Sequence, residues 1–265
     1  EAVIEAFGGV HSDYARQRYA AELTAQTDLT PDQLHALLKA LKAIESDDDI
    51  RVALGAILDN ETISPGQAPM ILEAAGRIES DYDLRRLIET VAEKPMSAEA
   101  LPLAIGMMER IDSDHDLRRA AEALLDQDSM TPQIAARLIA VAADHIDSDH
   151  DLRLLLSETV SFLAGGGDAA RAWVAALASI DSDHDLRFAL TEAAGQADLS
   201  DDVVLMLIGA TQEIDSDNDR RLTLEELAGR AQSSAALREA YEKAARAISS
   251  QSDRERALEA AGIGD

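Results

Sequence analysis

An eight-residue segment recurs along the whole chain at a nearly constant interval. Three copies, at 111–118, 146–153 and 180–187, read Ile-Asp-Ser-Asp-His-Asp-Leu-Arg without change. With the looser copies, this motif begins at residues 10, 44, 78, 111, 146, 180, 214 and 248, so that successive starts are 33 to 35 residues apart. A period this regular predicts a stack of supersecondary units, because each unit of a repeat protein buries its apolar face only against its neighbours.

Each repeat has the sequence pattern of two helices. The first is predicted to begin at the motif serine; in the second repeat its apolar residues Ile50, Leu54, Ile57 and Leu58 fall at helical spacings. The second helix is predicted to begin at a Ser or Thr, whose hydroxyl accepts an otherwise unpaired backbone N–H. These starts are Thr30, Ser64, Ser97, Thr131, Ser200 and the pair Ser233-Ser234, and in the fifth repeat Gly165-Gly166-Gly167-Asp168 replaces them.

The pattern predicts an all-α fold, an α-α superhelix (solenoid) of about seven two-helix repeats. We expect one domain over residues 1–265, with a capping half-repeat from residue 248. Pairs of antiparallel helices every 34 residues, with acids and an Arg near a helix start, resemble HEAT-like repeats. Tetratricopeptide repeats have the same length, but the Trp, Gly and Tyr positions of their pattern are missing here. The resemblance implies a scaffold that grips other proteins, and it carries over no catalytic residue.

Charge restricts the class of partner. The formal net charge is −27, and the excess acid is spread along the chain. A field of this sign repels nucleic acids and anionic membranes, both of which require basic patches. No apolar run approaches the ~20 residues that span a bilayer. We therefore expect no nucleic acid and no membrane insertion. The expected partner is a protein, either a basic one or another region of a longer parent chain, because the sequence begins at Glu1 without Met.

Helix capping accounts for most of the motif. Ser113 is predicted to be an N-cap, and Asp116 to complete a capping box by accepting the Ser113 backbone N–H. Asp114 is predicted to pair with Arg118 four residues later, and the same spacing recurs in five other copies. The acids also suit the positive end of the helix dipole. Stabilisation of each first helix is thus a sufficient reason for the motif.

Calcium binding is the alternative interpretation of these acids. Asp-x-Asp-x-Asp opens a calcium loop, and the copy nearest to that pattern contains Asp215, Asp217, Asp219 and Glu226. The glycine that such a loop needs at its sixth position is replaced there by Arg220. This alternative would make the chain a calcium-binding structural or adhesive module; otherwise no metal or cofactor is expected.

Three histidines stand at the fifth motif position, His115, His150 and His184. We expect them along one edge of the stack, facing solvent. Helix layers are ~10 Å apart, too far for two of these side chains to share a zinc ion. The alternative is an edge that responds to pH or scavenges metal, because histidine titrates near neutrality.

The expected function is non-enzymatic, a protein–protein interaction scaffold with an acidic surface. Carboxylates that recur with the repeat do not mark a unique active site, so no catalytic residue is predicted. Departures from the repeat are the best indicators of a binding surface, because the stack itself needs only the consensus. They point to the fifth repeat, from Gly165 to Trp173, and to faces of the second helices. The candidate partner-binding residues are Gln67, Met70, Met107, Arg110, Arg137 and Trp173.

Overall fold

The computed structural model of the protein describes residues 9–26, 29–59 and 68–263. Within these ranges the chain forms fifteen α-helices and short 3-10 turns, and no strand. The helices occur in neighbouring pairs, as in an α-α solenoid of helical repeats, and the predicted fold class is confirmed.

The chain divides into two compact units, Glu1–Met130 and Thr131–Asp265. The helices of the first unit are α1 (Asp13–Gln26), α2 (Pro31–Leu41), α3 (Asp47–Leu58), α4 (Ala68–Ala74), α5 (Asp81–Ala92), α6 (Leu101–Met108) and α7 (Asp114–Leu125). Those of the second are α8 (Pro132–His145), α9 (Asp149–Glu158), α10 (Gly167–Ala176), α11 (Asp183–Ala194), α12 (Asp201–Ala210), α13 (Asp217–Leu227), α14 (Ala235–Arg246) and α15 (Gln251–Ala260). One domain over 1–265 stays a prediction.

Each unit contains two layers of helices. In the first unit the helices that follow a motif, α1, α3, α5 and α7, pack on one another in order, and α2, α4 and α6 form the second layer. In the second unit α9, α11, α13 and α15 form the motif layer, whereas α8, α10, α12 and α14 form the other. All motifs of a unit therefore lie at the same end of the same layer.

Small and medium aliphatic side chains fill the space between the layers. The first motif residue is buried in every copy from Ile44 to Ile248, which fixes each motif to the core. Trp173 and Tyr241 are fully buried and their polar atoms are paired, as burial of such groups requires. Trp173 Nε1 donates to the Leu156 carbonyl at 2.9 Å, and the Tyr241 hydroxyl donates to the Ala257 carbonyl at 2.7 Å.

Most predicted starts of the second helices are confirmed. Thr30, Thr131, Ser200 and Ser234 are N-caps, whereas Ser64 lies outside the described residues. The start predicted at Ser97 is wrong. The Ser97 carbonyl accepts the backbone N–H groups of the turn that follows, and α6 begins only at Leu101, next to Pro102. Proline favours that position because its ring fixes φ at the helical value.

The glycine turn of the fifth repeat uses backbone conformations that other residues avoid. Gly166 and Gly167 have φ of 64° and 71°, in the left-handed region. A side chain there would clash with the following carbonyl oxygen, so glycine is the residue that can make this turn. The turn sets the direction in which α10 begins and hence places Trp173 in the core.

Candidate interaction surface

Every motif serine caps the first helix of its repeat. The Asp116 backbone N–H donates to Ser113 Oγ at 3.3 Å, which satisfies one of the unpaired groups of the helix start. The same contact is present at Ser46, Ser80, Ser148, Ser182, Ser216 and Ser250. The predicted N-caps are confirmed.

The aspartate at the fourth motif position joins its repeat to the next one. In the second unit Asp183 accepts the backbone N–H groups of Asp215 at 2.8 Å and Ser216 at 2.9 Å. We call these contacts the aspartate clasp. Its members are Asp13 with Glu45 and Ser46, Asp47 with Glu79 and Ser80, Asp81 with Ser113, Asp149 with Asp181 and Ser182, Asp183 with Asp215 and Ser216, and Asp217 with Ser249 and Ser250.

The clasp corrects the predicted capping box. The Ser113 backbone N–H donates at 2.8 Å to Asp81 of the preceding repeat, and Asp116 does not accept it. Asp116 instead accepts from Arg85 Nε at 2.6 Å. The acid three residues after the serine thus binds an arginine of the preceding repeat and not the backbone N–H of its own serine.

The arginine at the eighth motif position makes a second link between repeats. Arg51 binds Asp83 at 2.8 Å, Arg153 binds Asp185 at 2.8 Å, and the same link joins Arg85 with Asp116, Arg187 with Asp219 and Arg221 with Asp253. The predicted pairs within one helix are therefore wrong for Asp47 with Arg51, Asp81 with Arg85, Asp149 with Arg153, Asp183 with Arg187 and Asp217 with Arg221. In each, the aspartate is in the clasp and the arginine reaches the next repeat.

The environments of these acids favour their charged forms. Hydrogen bonds from the Glu45 and Ser46 backbone lower the pKa of Asp13, with a further contribution from Arg16. Hydrogen bonds from Ser250 and Arg221 lower the pKa of Asp253. Arg221 is 9% exposed, and Glu225 and Asp253 raise its pKa despite that burial. The motif charges are thus used inside the stack.

The last copy of the motif, in which several positions are altered, contains a sequence signal for these links. The last copy keeps the receiving groups, Ser250 and Asp253, but has Gln251 and Glu255 where other copies have the clasp aspartate and the arginine. In this last copy the residues bound by the preceding repeat are kept, and the two that would bind a following repeat are replaced. A pair within one helix would not leave this asymmetry, so the pattern could have identified the links between repeats.

Two motif positions remain exposed after these contacts are counted. The acid at the second position points to solvent, and its carboxylate has no hydrogen bond or ion pair with the described part of the chain in five copies. We call these residues the acidic row. They are Glu45, Glu79 and Asp112 in the first unit and Asp181 and Asp215 in the second.

The fifth position carries the second exposed set. His115, His150 and His184 are exposed as expected, and each lies 3.2 to 3.4 Å from the arginine three residues later. Tyr14 and Tyr82 hold this position in the first unit and are 65% and 54% exposed. They place aromatic surface beside the acidic row, a combination that the sequence alone did not single out.

Phe188 is an exposed aromatic ring of the second unit, 41% accessible to solvent. The Arg187 guanidinium lies 4.3 Å from the ring centroid, and the His184 ring meets its edge at 4.6 Å. Cation–π contact of this kind holds a ring in a fixed orientation. The sequence signal was an aromatic residue at the ninth repeat position, one helical turn after a histidine.

The candidate partner-binding residues do not form one surface. Trp173 is fully buried and Met107 is 8% exposed, so these two side chains offer little surface to a partner, and their predicted role in binding stays a prediction. Met70 is half-buried and Arg137 exposed, and Gln67 lies outside the described residues. Arg110 is exposed, but its guanidinium donates to the Ile78 carbonyl at 2.6 Å, a link within the first unit.

The acids proposed for calcium are arranged differently from a calcium loop. Asp217 accepts two backbone N–H groups, and Asp219 pairs with Arg187 at 2.8 Å. With Asp215 and Glu226 they form no cluster, and in the described ranges no three His, Asp or Glu side chains converge as a metal site would require. The contacts of Asp217 and Asp219 within the stack thus occupy carboxylate oxygens that a cation would need.

The chain matches no protein-family model, no curated protein and no solved structure with which it was compared. Among the described helices, none is both long and apolar enough to cross a membrane. Inferences about function therefore depend on the geometry of the two units.

Proposed function

We propose that the protein is a non-enzymatic scaffold whose acidic row binds a basic protein surface. The observation that carries the proposal is that different positions of the motif have different roles. The fourth, sixth and eighth positions are occupied by links between repeats, whereas the side chains of the acidic row, at the second position, have no role in those links. Acids spaced by one helix layer, ~10 Å, suit a partner that presents several Lys or Arg residues.

Charge and exposed rings both support this kind of partner. With a net charge of −27, long-range attraction would speed the approach of a basic protein. Tyr14 and Tyr82 would add contact area, because tyrosine is enriched at the centres of protein interfaces. The partner would be a separate basic protein or a basic region of a longer parent chain.

A HEAT-like relationship is part of the proposal. It is supported by the two helices in each repeat and by the Asp–Arg links between successive repeats. Repeats of this kind implied a scaffold at the level of sequence, and the non-enzymatic function proposed here agrees with that implication.

A capture experiment from the native extract tests the acidic row. The row variant Glu45→Gln, Glu79→Gln and Asp112→Asn removes three acids of the first unit. The control variant Glu93→Gln, Glu109→Gln and Asp128→Asn removes three other exposed acids of the same unit. Both variants have the same net charge, so a difference between them reports position and not total charge.

We expect wild type and control to retain the same basic proteins, identified by mass spectrometry, and the row variant to lose them. The captured proteins should also elute between about 0.1 and 0.5 M salt, because screening weakens contacts between exposed charges. Equal retention by both variants would show that the acidic row is not the binding surface.

A further inference from the structure

A recess between α2 and α4 is bordered by two lysines, in a chain with a net charge of −27. It has a volume of about 370 Å³ and is lined by His35, Leu38, Lys39 and Lys42 from α2 and the residue after it, and by Met70, Glu73 and Ala74 from α4. The chain has only four lysines, and two of them border this recess. This concentration of cations in a protein of net charge −27 needs a specific explanation.

The two ammonium groups are not used elsewhere in the described structure. Neither Lys39 nor Lys42 has a side-chain hydrogen bond or ion pair with another described residue, whereas the motif arginines are all engaged. Lysines near a helix C-terminus can serve its unpaired carbonyls. Here the Arg77 guanidinium already donates to the Lys42 carbonyl. As far as the described residues are concerned, the lysine charges therefore remain available to a ligand.

The residues that line the recess indicate which class of ligand it can bind. Leu38, Met70 and Ala74 offer an apolar surface, so a bound molecule gains by burying a hydrocarbon segment. Lys39 and Lys42 attract an anionic head group from one side only. On the opposite side Glu73 would repel a second negative charge. From this arrangement we propose that the recess binds a monoanionic amphiphile, a carboxylate with a short hydrocarbon tail.

Two other anion classes fit less well. A polyanion such as a nucleic acid or a strongly acidic peptide would meet both Glu73 and the repulsion of the whole acidic chain. A small inorganic anion would leave the apolar lining residues uncovered. A volume of about 370 Å³ is at the lower end of small-molecule sites and suits a chain of about eight carbons.

Methionine-methyl NMR provides a local readout, because the chain has only six methionines and Met70 lines the recess. The probe is octanoate, titrated into the full chain, and we expect a saturable shift of the Met70 methyl resonance. The ligand-efficiency scale for about ten heavy atoms gives a dissociation constant on the order of 1 mM.

Two matched probes test head group and tail: octan-1-ol lacks the charge, and octanedioate carries a second carboxylate. Both should bind about tenfold more weakly, because each loses one of the two favourable contacts.

Substitution of the lysines completes the test. Lys39→Gln with Lys42→Gln should weaken octanoate binding about three- to tenfold, as expected for two partly exposed charges. Lys94→Gln with Lys243→Gln makes the same change of charge elsewhere and should leave binding unaltered. Thermal melts verify that both variants are folded. No Met70 shift, an equal affinity in the two variants, or tighter binding of octanedioate would each overturn the proposal. No partner protein enters this experiment, so its outcome is independent of the acidic row.

Discussion

At the scale of single residues, two acids of one motif have opposite roles. Asp183 accepts the backbone N–H groups of Asp215 and Ser216, whereas the Asp181 side chain is exposed. We expect Asp183→Ala to lower the free energy of unfolding by about 1–3 kcal/mol, because it leaves two N–H groups without a charged acceptor. Asp181→Ala should change it by less than about 0.5 kcal/mol. Urea unfolding measures both, and equal losses would show that the clasp does not stabilise the stack.

The acid dependence of stability should include a contribution from Asp185. Burial raises the pKa of Asp185, but hydrogen bonds from Ser182 and Arg153 outweigh it, and the pKa lies below its ordinary value. A carboxylate with a lowered folded-state pKa stabilises the protein above its unfolded pKa of about 3.9. That stability is lost as the pH falls through the folded-state pKa.

We therefore expect the free energy of unfolding to fall less steeply below about pH 4 in Asp185→Asn than in wild type. Urea titrations at several pH values between 3 and 7 give the two slopes. Parallel curves would contradict a charged Asp185 in the link to Arg153.

The caps could be predicted from sequence because a serine and the N–H three residues later are fixed by local backbone geometry. The partners of the other motif residues could not be assigned in the same way. Arg51 can reach an acid in its own helix or one in the adjacent repeat, and a periodic sequence offers an aspartate at both places. Only packing of the helices decides that Asp83 is the partner.

At the scale of elements, the turn before α10 allows a test of backbone conformation alone. A Cβ added at Gly167 would meet no atom within 4 Å, but the φ of this residue is 71°. Gly167→Ala should therefore lower the free energy of unfolding by about 1–2 kcal/mol.

Gly209 provides the matched control. It lies inside α12, is equally free of neighbours and has no positive φ. Gly209→Ala should raise the free energy of unfolding by about 0.5–1 kcal/mol, because alanine favours helix. Chemical unfolding of the two variants should give changes of opposite sign; the same sign in both would exclude backbone strain at the turn.

Element boundaries were predictable where a cap and a proline agree, as at Thr30 and Thr131. They were not predictable at Ser97, where the sequence offers a cap but the chain forms a turn and delays α6 to Leu101. For Trp173 the sequence favoured burial between helices but left a surface anchor open, because the tryptophan follows an irregular glycine turn. The Leu156 carbonyl that pairs with its indole belongs to another helix.

At the scale of the whole molecule, periodicity was enough to predict the fold class, since every repeat buries the same positions. Function was less accessible. The acidic row and the clasp consist of the same residue type two positions apart, so composition cannot separate them. The recess bordered by Lys39 and Lys42 had one sequence signal, two of four lysines spaced by three residues, but its apolar wall comes from α4.

We infer that the clasp aspartates bind backbone N–H groups of the next repeat and leave no calcium site among the described motifs. A thermal melt of the wild-type chain tests it most directly, first in chelator and then with millimolar calcium or magnesium, or with sodium at matched ionic strength. All three salts should raise the melting temperature slightly, because screening reduces repulsion within a chain of net charge −27. Calcium and magnesium should give the same shift within about 1 °C. A rise of several degrees with calcium alone would contradict the claim, because it would mean that a specific cation binds the folded state.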